Sequence, residues 1–323
     1  MIKPLKPKVS VCMPNYNCSR YLPEAIESVL RQSYENFEFI IIDDCSTDNS
    51  LEIIKRYAAK DDRIIVRANS VNIGQAKNLN LCLKHARGDY VKFVFSDDLL
   101  SSDDALKKMV KILDINNDIT LVASSRYLIN EFSTVVGIQA GYKGGIMCSG
   151  TEIIKDCLIT QTNKIGEPTV VMFRKKNAER GFNEKYNKNV DWEMWFHILE
   201  QGRFAYIDEP LCAFRRHPLQ LTKLYLEKEL YFEEPYYMLK DYVDKPYMNF
   251  SMCGKKYLFY VPAFEIWNLY KKGHKISLRD ALHKIQEQYG MIKFVLYYPL
   301  YKIYKGHLSA QKRIKKITKT RVL

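Results

Sequence analysis

The stretch Phe37-Glu38-Phe39-Ile40-Ile41-Ile42-Asp43-Asp44 decides the fold. Apart from Glu38 it is a continuous apolar run that stops at two carboxylates, the mark of a strand buried on both faces of a parallel sheet. The polar turn Cys45-Ser46-Thr47-Asp48-Asn49-Ser50 follows, and then a helical run from Leu51 to Ala59. The same order repeats on either side. Val9-Ser10-Val11-Cys12-Met13 reads as a strand stopped by Pro14, after which Leu22, Ala25, Ile26, Val29 and Leu30 share one helix face. Ile64-Ile65-Val66 is a third strand, and Gln75 to Ala86 is a helix burying Leu79, Cys82, Leu83 and Ala86. Tyr90-Val91-Lys92-Phe93-Val94-Phe95 is a fourth strand, ending at Ser96-Asp97-Asp98. Asp103 then caps a helix that turns Leu106, Met109, Val110 and Leu113 inward. Strand alternating with helix predicts an α/β fold, Rossmann-like, with a mostly parallel central sheet flanked by helices.

After residue 115 the periodicity weakens. Candidate strands lie at 119–124, 169–173 and 204–207, a Gly-rich loop at 137–150, and a helix from Trp192 to Gln201. From about residue 221 the composition turns to Tyr, Leu, Glu and Lys, which reads as a helical extension to 323. Of the 323 residues 47% are hydrophobic and 13% aromatic, enough for a large core and incompatible with a disordered chain. The net charge of +13 is uneven: residues 271–323 hold fourteen basic and two acidic side chains, so the rest is nearly neutral. Eight cysteines show neither C-x-x-C nor zinc-ligand spacing, and suit a reducing cytosol. The expectation is a cytoplasmic chain with no cleaved signal and no spanning helix.

Ligands of open parallel sheets bind outside the carboxyl ends of the strands. Two of the four strands end there in carboxylate pairs, Asp43-Asp44 and Asp97-Asp98, so both pairs belong to one rim. At this point the residues resemble a family 2 glycosyltransferase, inverting and of the GT-A fold. The resemblance runs from Val9 to about Thr222 and rests on ordered pieces. The first are Met13-Pro14-Asn15-Tyr16-Asn17, Tyr21-Leu22, Ser28-Val29-Leu30-Arg31-Gln32 and Ile42-Asp43-Asp44-Cys45-Ser46-Thr47-Asp48. Then come Asn72-Ile73-Gly74 with Lys77-Asn78, Arg87-Gly88-Asp89-Tyr90, Ser96-Asp97-Asp98, Val190-Asp191-Trp192-Glu193 and Arg215-Arg216-His217.

The resemblance implies a catalytic domain over 1–220, with a nucleotide-binding half to about 100 and an acceptor half beyond, and an extension over 221–323. It implies that Pro14, Asn15, Tyr16, Asp43, Asp44, Lys77, Ser96 and Asp97 receive the nucleotide of a nucleoside diphosphate sugar, with UDP as the expected base carrier. Asp97 and Asp98 stand in the region that holds Mn²⁺ or Mg²⁺ against the diphosphate, although Phe95 replaces the first acid of the usual pattern; either of the two can be the ligand, since Mg²⁺ commonly takes one or two carboxylates plus phosphates. Arg216 and His217 would close on the diphosphate with Arg215 beside them. Asp191 matches the general base that takes the proton of the acceptor hydroxyl in a single displacement; the competing reading is a plain helix N-cap. Trp192 would touch the acceptor, against the alternative that Trp192 and Trp195 are core. The acceptor would be a glycan or lipid-linked glycan in surface polysaccharide assembly, and the missing Gln-x-x-Arg-Trp motif favours a non-processive enzyme.

The basic tail has its own chemistry. Ile292, Val295, Leu296, Leu300 and Ile303 fall on one arc with Tyr and Lys opposite, interrupted by Pro299, and Lys312-Arg313-Ile314-Lys315-Lys316 follows. That pattern suits peripheral attachment to an anionic membrane surface, at the inner face of the cytoplasmic membrane, with Tyr257–Phe264 as a second wedge; an ordinary packing helix is the alternative. The alternative function is a nucleic-acid-binding protein using the basic C-terminal tail; nucleic acid is nevertheless not expected as a partner, because the near-neutral body has an acidic rim that repels phosphate unless a metal intervenes. A dinucleotide dehydrogenase is disfavoured, because Pro14-Asn15-Tyr16-Asn17 stands where G-x-G-x-x-G belongs.

Overall fold

A computed structural model of the chain describes residues 6–218, 220, 230–250, 252–271, 278–296 and 298–299. The β1 (Val9–Asn15), α1 (Leu22–Leu30), β2 (Phe37–Asp43), α2 (Ser50–Ala58), β3 (Ile64–Ala68), α3 (Gln75–His85) and β4 (Tyr90–Phe93) elements form the array the sequence announces. Every residue of β2 is buried, as a continuous apolar run requires. The inward faces of α1 and α3 carry Leu22, Ala25, Ile26, Val29, Leu79, Cys82 and Leu83, all buried. Next come β5 (Leu99–Leu100), α4 (Ala105–Ile115), β6 (Ile119–Ile129), β7 (Val135–Gln139), β8 (Ile146–Ser149), α5 (Gly150–Thr160), β9 (Val171–Arg174), α6 (Val190–Leu199) and β10 (Arg203–Arg215).

One sheet runs β3-β2-β1-β4-β9-β6-β10-β5, with β7 added to β6 and β8 to β10. Its β3-β2-β1-β4 half is parallel. Beyond β4 the pairings alternate: β9 is antiparallel to β4 and β6, β6 and β10 are parallel, and β5, β7 and β8 join antiparallel. The register places Asn15 beside Asp43, so β1 and β2 end together at one rim.

Four local expectations are corrected. The fourth strand stops at Phe93, two residues short, because the chain turns there to bring Ser96–Asp98 onto the rim. The stretch expected as a Gly-rich loop over 137–150 holds the end of β7 and all of β8, with Gly137 inside β7, Gly141, Gly144 and Gly145 between the two strands, and Gly150 opening α5. Asp103 is not the cap of α4: Asp104 precedes the helix, and Asp103 instead receives Arg31 Nε at 2.9 Å. Tyr257–Phe264 lies in a helix whose Leu258, Tyr260, Val261, Ala263 and Phe264 are buried, so these five side chains pack inside the protein and do not form the wedge expected of them.

At the opposite end of the strands a polar lock closes β1, β2 and β4. Ser10 Oγ donates to Glu38 at 2.6 Å, Arg87 N–H and Nε donate to the same buried carboxylate at 2.6 and 2.7 Å, and Gly88 N–H donates to Ser10 Oγ at 2.8 Å. A Cβ on Gly88 would lie 2.6 Å from Ser10 N and 2.7 Å from Val9 C, both rigid strand backbone. Gly88→Ala is therefore expected to lower stability by about 1–3 kcal/mol, read as a lower urea midpoint at unchanged slope.

The chain divides into two compact units, residues 1–157 with 162–224, and 158–161 with 225–323. The second is helical, with α7 (Leu230–Tyr242), α8 (Met252–Lys271) and α9 (Leu278–Tyr289). Its core gathers Met238, Leu239, Met248, Leu258, Phe264, Ile285 and Phe294, the Phe264 and Phe294 rings 5.4 Å apart. Of the apolar arc in the tail, Ile292, Val295 and Leu296 are exposed, while Leu300, Ile303 and the Lys/Arg cluster lie outside the described residues. Among the described residues no helix is long and apolar enough to cross a membrane.

Candidate active site

Two hydrogen-bonded clusters occupy the rim. The first joins the loops after β1 and β2. Asn15 Nδ2 donates to Asp43 Oδ1 at 2.7 Å, Ser46 Oγ donates to the same oxygen at 2.6 Å, and Ser46 N–H donates to Oδ2 at 2.9 Å. Asn17 N–H reaches Ser46 Oγ at 2.9 Å and Ser19 N–H reaches Asp48 at 2.9 Å, which laces the two loops into one floor. Asp44 turns the other way. Its carboxylate accepts Asn69 Nδ2 at 2.8 Å, Ile73 N–H at 2.9 Å and Gly74 N–H at 2.9 Å, fixing the approach to α3. Gly74 takes φ +86°, a conformation that favours glycine. Both Asp43 and Asp44 are buried, so they shape the floor, whereas Tyr16 is half exposed and Lys77, in the first turn of α3, is exposed.

The second cluster is built on Ser96-Asp97-Asp98. Asp98 is buried and accepts Thr169 Oγ1 at 2.6 Å and Arg215 N–H at 3.0 Å. Burial, reinforced by the adjacent Asp97 charge, holds its carboxyl well above the usual carboxylate range. Beneath it, Lys92 is fully buried, donates to Thr169 O and lies 3.7 Å from Cys212 Sγ; desolvation pulls its ammonium below the ordinary lysine range. Asp97 is partly exposed, and its Oδ2 lies 3.0 Å from Nε2 of His217. The His217 ring is held 5.0 Å from that of Tyr21. Cys18 sits against the same turn, and burial together with the Asp97 charge pushes its thiol up to about 12, which keeps it protonated and inert.

Arg215 ties the cluster together. It is the last residue of β10 and completely buried, not a loop side chain reaching outward. Its Nε donates to Asp97 O at 2.7 Å, one terminal nitrogen to Ser133 Oγ at 2.8 Å and Asn130 O at 3.3 Å, and the other to Glu24 at 2.7 Å. The guanidinium also stacks 4.6 Å from the Tyr21 ring centre. The next residue, Arg216, is exposed. Thus Asp97, Asp98, Arg215 and His217 meet although the pairs are separated by up to 120 residues in sequence.

A divalent cation fits this arrangement only in part from the protein side. Asp97 and His217 offer one carboxylate and one imidazole on the same edge, a sound oxygen and nitrogen donor pair. Among the described residues no group of three or more His, Cys, Asp or Glu could hold a metal ion. The remaining positions suit diphosphate oxygens, as is usual for Mg²⁺ beside a nucleotide. Asp98, spent on Thr169 and Arg215, positions the turn that presents Asp97.

On α6, Asp191 lies in the first turn, half-buried, and accepts its neighbour Trp192 N–H at 2.7 Å. Two residues on, Glu193 is buried in the fork of Arg180, with contacts of 2.8 and 2.6 Å. Trp195 is fully buried, donates to Gly166 O at 3.0 Å and packs on Phe173. Trp192 is buried too, edge-on to Phe196, the arrangement of a core aromatic.

Sequence reading did not single out Thr169, Glu24 or Ser133, which hold Asp98 and Arg215. Thr169 lies in the 3-10 turn Pro168–Val170, ahead of β9 and not within the strand expected from 169, and nothing local links it to an acid 71 residues away.

Comparison with known proteins gives the family of the chain. The profile described as Glycosyl transferase family 2 matches residues 10–191. The chain is 36% identical over 203 residues to the "Putative glycosyltransferase EpsE" of Bacillus subtilis (strain 168), covering 62% of this chain and 69% of that one. It is 42% identical over 104 residues to the "Putative teichuronic acid biosynthesis glycosyltransferase TuaG" of the same organism, covering 32% of this chain and 41% of that one. Among solved structures, S. aureus TarS 1-349 in complex with UDP-GlcNAc superposes with TM-score 0.68 at 20% identity, over 93% of this chain and 92% of that one.

Proposed function

The chain belongs to glycosyl transferase family 2, and from that premise we propose that it transfers a sugar from a UDP-sugar to a glycan or lipid-linked glycan of a surface polysaccharide, with inversion at the anomeric carbon. The GT-A fold and transferase class are given by the family; donor, acceptor and metal are this reading's own. The observation that carries it is the Asp97–His217 pair, presented at the carboxyl ends of the parallel strands beside the Asn15–Asp43–Ser46 floor. A UDP-GlcNAc complex of a protein with the same fold supports the choice of base, and a teichuronic acid relative supports a polymer acceptor.

In this reading the loops after β1 and β2 seat the nucleoside, with Pro14 and Tyr16 at its edge and Lys77 near the diphosphate. Asp97 and His217 would hold Mn²⁺ or Mg²⁺, which when bound neutralises charge developing on the leaving diphosphate. Arg216, exposed beside His217, adds a planar donor fork for phosphate. The acceptor hydroxyl attacks C1 as the bond to UDP breaks, and Asp191 takes its proton. Asp191 is half-buried whereas Glu193 is buried, so Asp191 is the acid of that helical turn an acceptor can reach. No covalent intermediate on the enzyme is required. The exposed Ile292, Val295 and Leu296, followed by a Lys/Arg-rich segment, support attachment at an anionic leaflet where a lipid-linked acceptor resides.

The test is thermal unfolding with UDP, GDP, dTDP, CDP, ADP or NADH, each with and without Mn²⁺. A ligand at 100 times its Kd stabilises by about 2.7 kcal/mol. UDP is expected to raise the melting temperature most, with an increment that needs Mn²⁺ and disappears in Asp97→Asn and His217→Ala. If no nucleoside diphosphate shifts the transition, the rim is not a sugar-nucleotide site and the reading fails.

A further inference from the structure

Tyr21-Leu22 belongs to the sequence pattern that carries the family resemblance, yet no step of the transfer uses Tyr21. The structure puts it at the cation edge. Tyr21 stands just before α1 and is buried; its ring centre lies 5.0 Å from that of His217, inclined at 50°, and 4.6 Å from the Arg215 guanidinium. Both of these neighbours meet Asp97. Arg215 Nε donates to Asp97 O at 2.7 Å, and His217 Nε2 lies 3.0 Å from Asp97 Oδ2, so Tyr21, Arg215, Asp97 and His217 close a ring of contacts.

The His217 ring needs such a support. A histidine that binds a cation through one ring nitrogen usually donates from the other to a carboxylate or carbonyl, and that bond fixes the ring's orientation. Among the described residues no acceptor takes the Nδ1 proton of His217. The backbone contacts of His217 are long as well: its N–H reaches Gln220 Oε1 at 3.4 Å and its carbonyl accepts Gln220 N–H at 3.5 Å. Tyr21, by contrast, is tied down through its main chain. Its N–H and that of Leu22 both donate to Cys18 O at 3.1 Å, while Asn17 N–H and Cys18 N–H are anchored on Ser46 Oγ and Ser50 Oγ at 2.9 and 3.2 Å. Among the described residues the Tyr21 hydroxyl makes no hydrogen bond, so the ring itself is what His217 meets. We propose that Tyr21 is a positioning residue for the cation site: held between Arg215 and His217, its ring substitutes for the hydrogen bond that Nδ1 lacks and keeps Nε2 of His217 on the edge it shares with Asp97. This rests on the reading of Asp97 and His217 as the protein's donors to Mn²⁺, and Tyr21 acts on the cation through His217.

The experiment measures Mn²⁺ binding to the full chain saturated with UDP, from the electron paramagnetic resonance of free Mn²⁺, beside calorimetric UDP affinity without metal. Tyr21→Leu is expected to weaken Mn²⁺ binding about 10–100-fold, the usual loss when the partner that orients a metal-bound histidine is removed. UDP affinity in the absence of Mn²⁺ stays unchanged, which a general loosening of the rim would not allow. Tyr21→Phe keeps the ring and is expected to bind Mn²⁺ like wild type. Tyr21→Met refills much of the space with a flexible chain and serves in place of leucine should Tyr21→Leu fail to fold. In metal-free wild type, nuclear Overhauser contacts connect the ring protons of Tyr21 and His217. If wild type binds Mn²⁺ and a folded Tyr21→Leu or Tyr21→Met binds it equally well, the positioning role is overturned while the function stands. It is overturned too if metal-free UDP affinity falls by the same factor, if Tyr21→Phe loses as much as Tyr21→Leu, or if the two rings show no contact. A wild type that takes up no Mn²⁺ with UDP overturns the role together with the reading of Asp97 and His217.

Discussion

Asp191→Asn is expected to reduce turnover by about 10²–10⁴ while leaving UDP-sugar affinity unchanged, measured as single-turnover transfer beside calorimetric donor binding. The magnitude is that of a positioned base removed from a step in which the acceptor oxygen must lose its proton as it attacks C1. Asparagine keeps the size and the acceptor oxygen that takes Trp192 N–H at 2.7 Å, so the helix start is preserved. What is lost is a carboxylate at a helix N-terminus, worth about 0.3–1 kcal/mol of stability. A larger fall in melting temperature would mean that the variant damages the fold, and its rate would then say nothing about the base. Donor affinity separates the remaining cases: a loss in binding equal to the loss in kcat/KM would place Asp191 in the donor pocket, not at the acceptor. Near-normal turnover in a folded variant removes it from the reaction. Glu193→Gln serves as the contrast, since that carboxylate is locked by Arg180 and its loss should appear in stability before rate.

The contrast between these two acids shows where sequence is informative. The run from Phe37 to Ile42 can only be satisfied by burial on both faces, and the helix faces of α1 and α3 follow from the spacing of Leu22, Ala25, Ile26, Leu79 and Leu83. The parallel half of the sheet is legible for that reason, and with it the rim, because carboxylates that close a parallel strand have one end of the sheet to occupy. The antiparallel half is not. Leu99–Leu100 is a strand only because β10 lies alongside, and β7 and β8 are short, Gly-flanked segments whose pairing is decided by partners far away in the chain. The same limit separates the two members of each acidic pair. Asp97 and Asp98 look equivalent in sequence, yet Thr169 and the Arg215 backbone claim one and His217 faces the other. Those contacts are made by tertiary structure alone, so no local pattern could assign them.

Arg215→Met should be the most destabilising single change in the catalytic unit, by about 3–5 kcal/mol, read by urea unfolding. The side chain has no exposure, and its fork simultaneously serves Asp97 O, Asn130 O, Ser133 Oγ and Glu24. Methionine fills much of the volume but leaves two backbone carbonyls without their donors, and each hydrogen bond from a charged group is worth about 1.5–3 kcal/mol. Glu24 is 43% exposed on its side chain and can return to water, so its share of the loss is the smallest. Arg215→Lys separates charge from geometry. A lysine retains the positive charge beside Tyr21 but cannot reach three directions at once, so it should recover only a minor part of the stability. The functional consequence follows from where the fork is anchored. Releasing Asp97 O and the Asn130–Ser133 turn slackens the corner that presents Asp97 opposite His217, so the Mn²⁺-dependent increment in UDP affinity should fall in Arg215→Lys even at temperatures where the protein is fully folded. Should that increment survive intact while stability drops, Arg215 holds the fold alone, and the Asp97–His217 geometry is maintained by Asp98 and Thr169 beneath it.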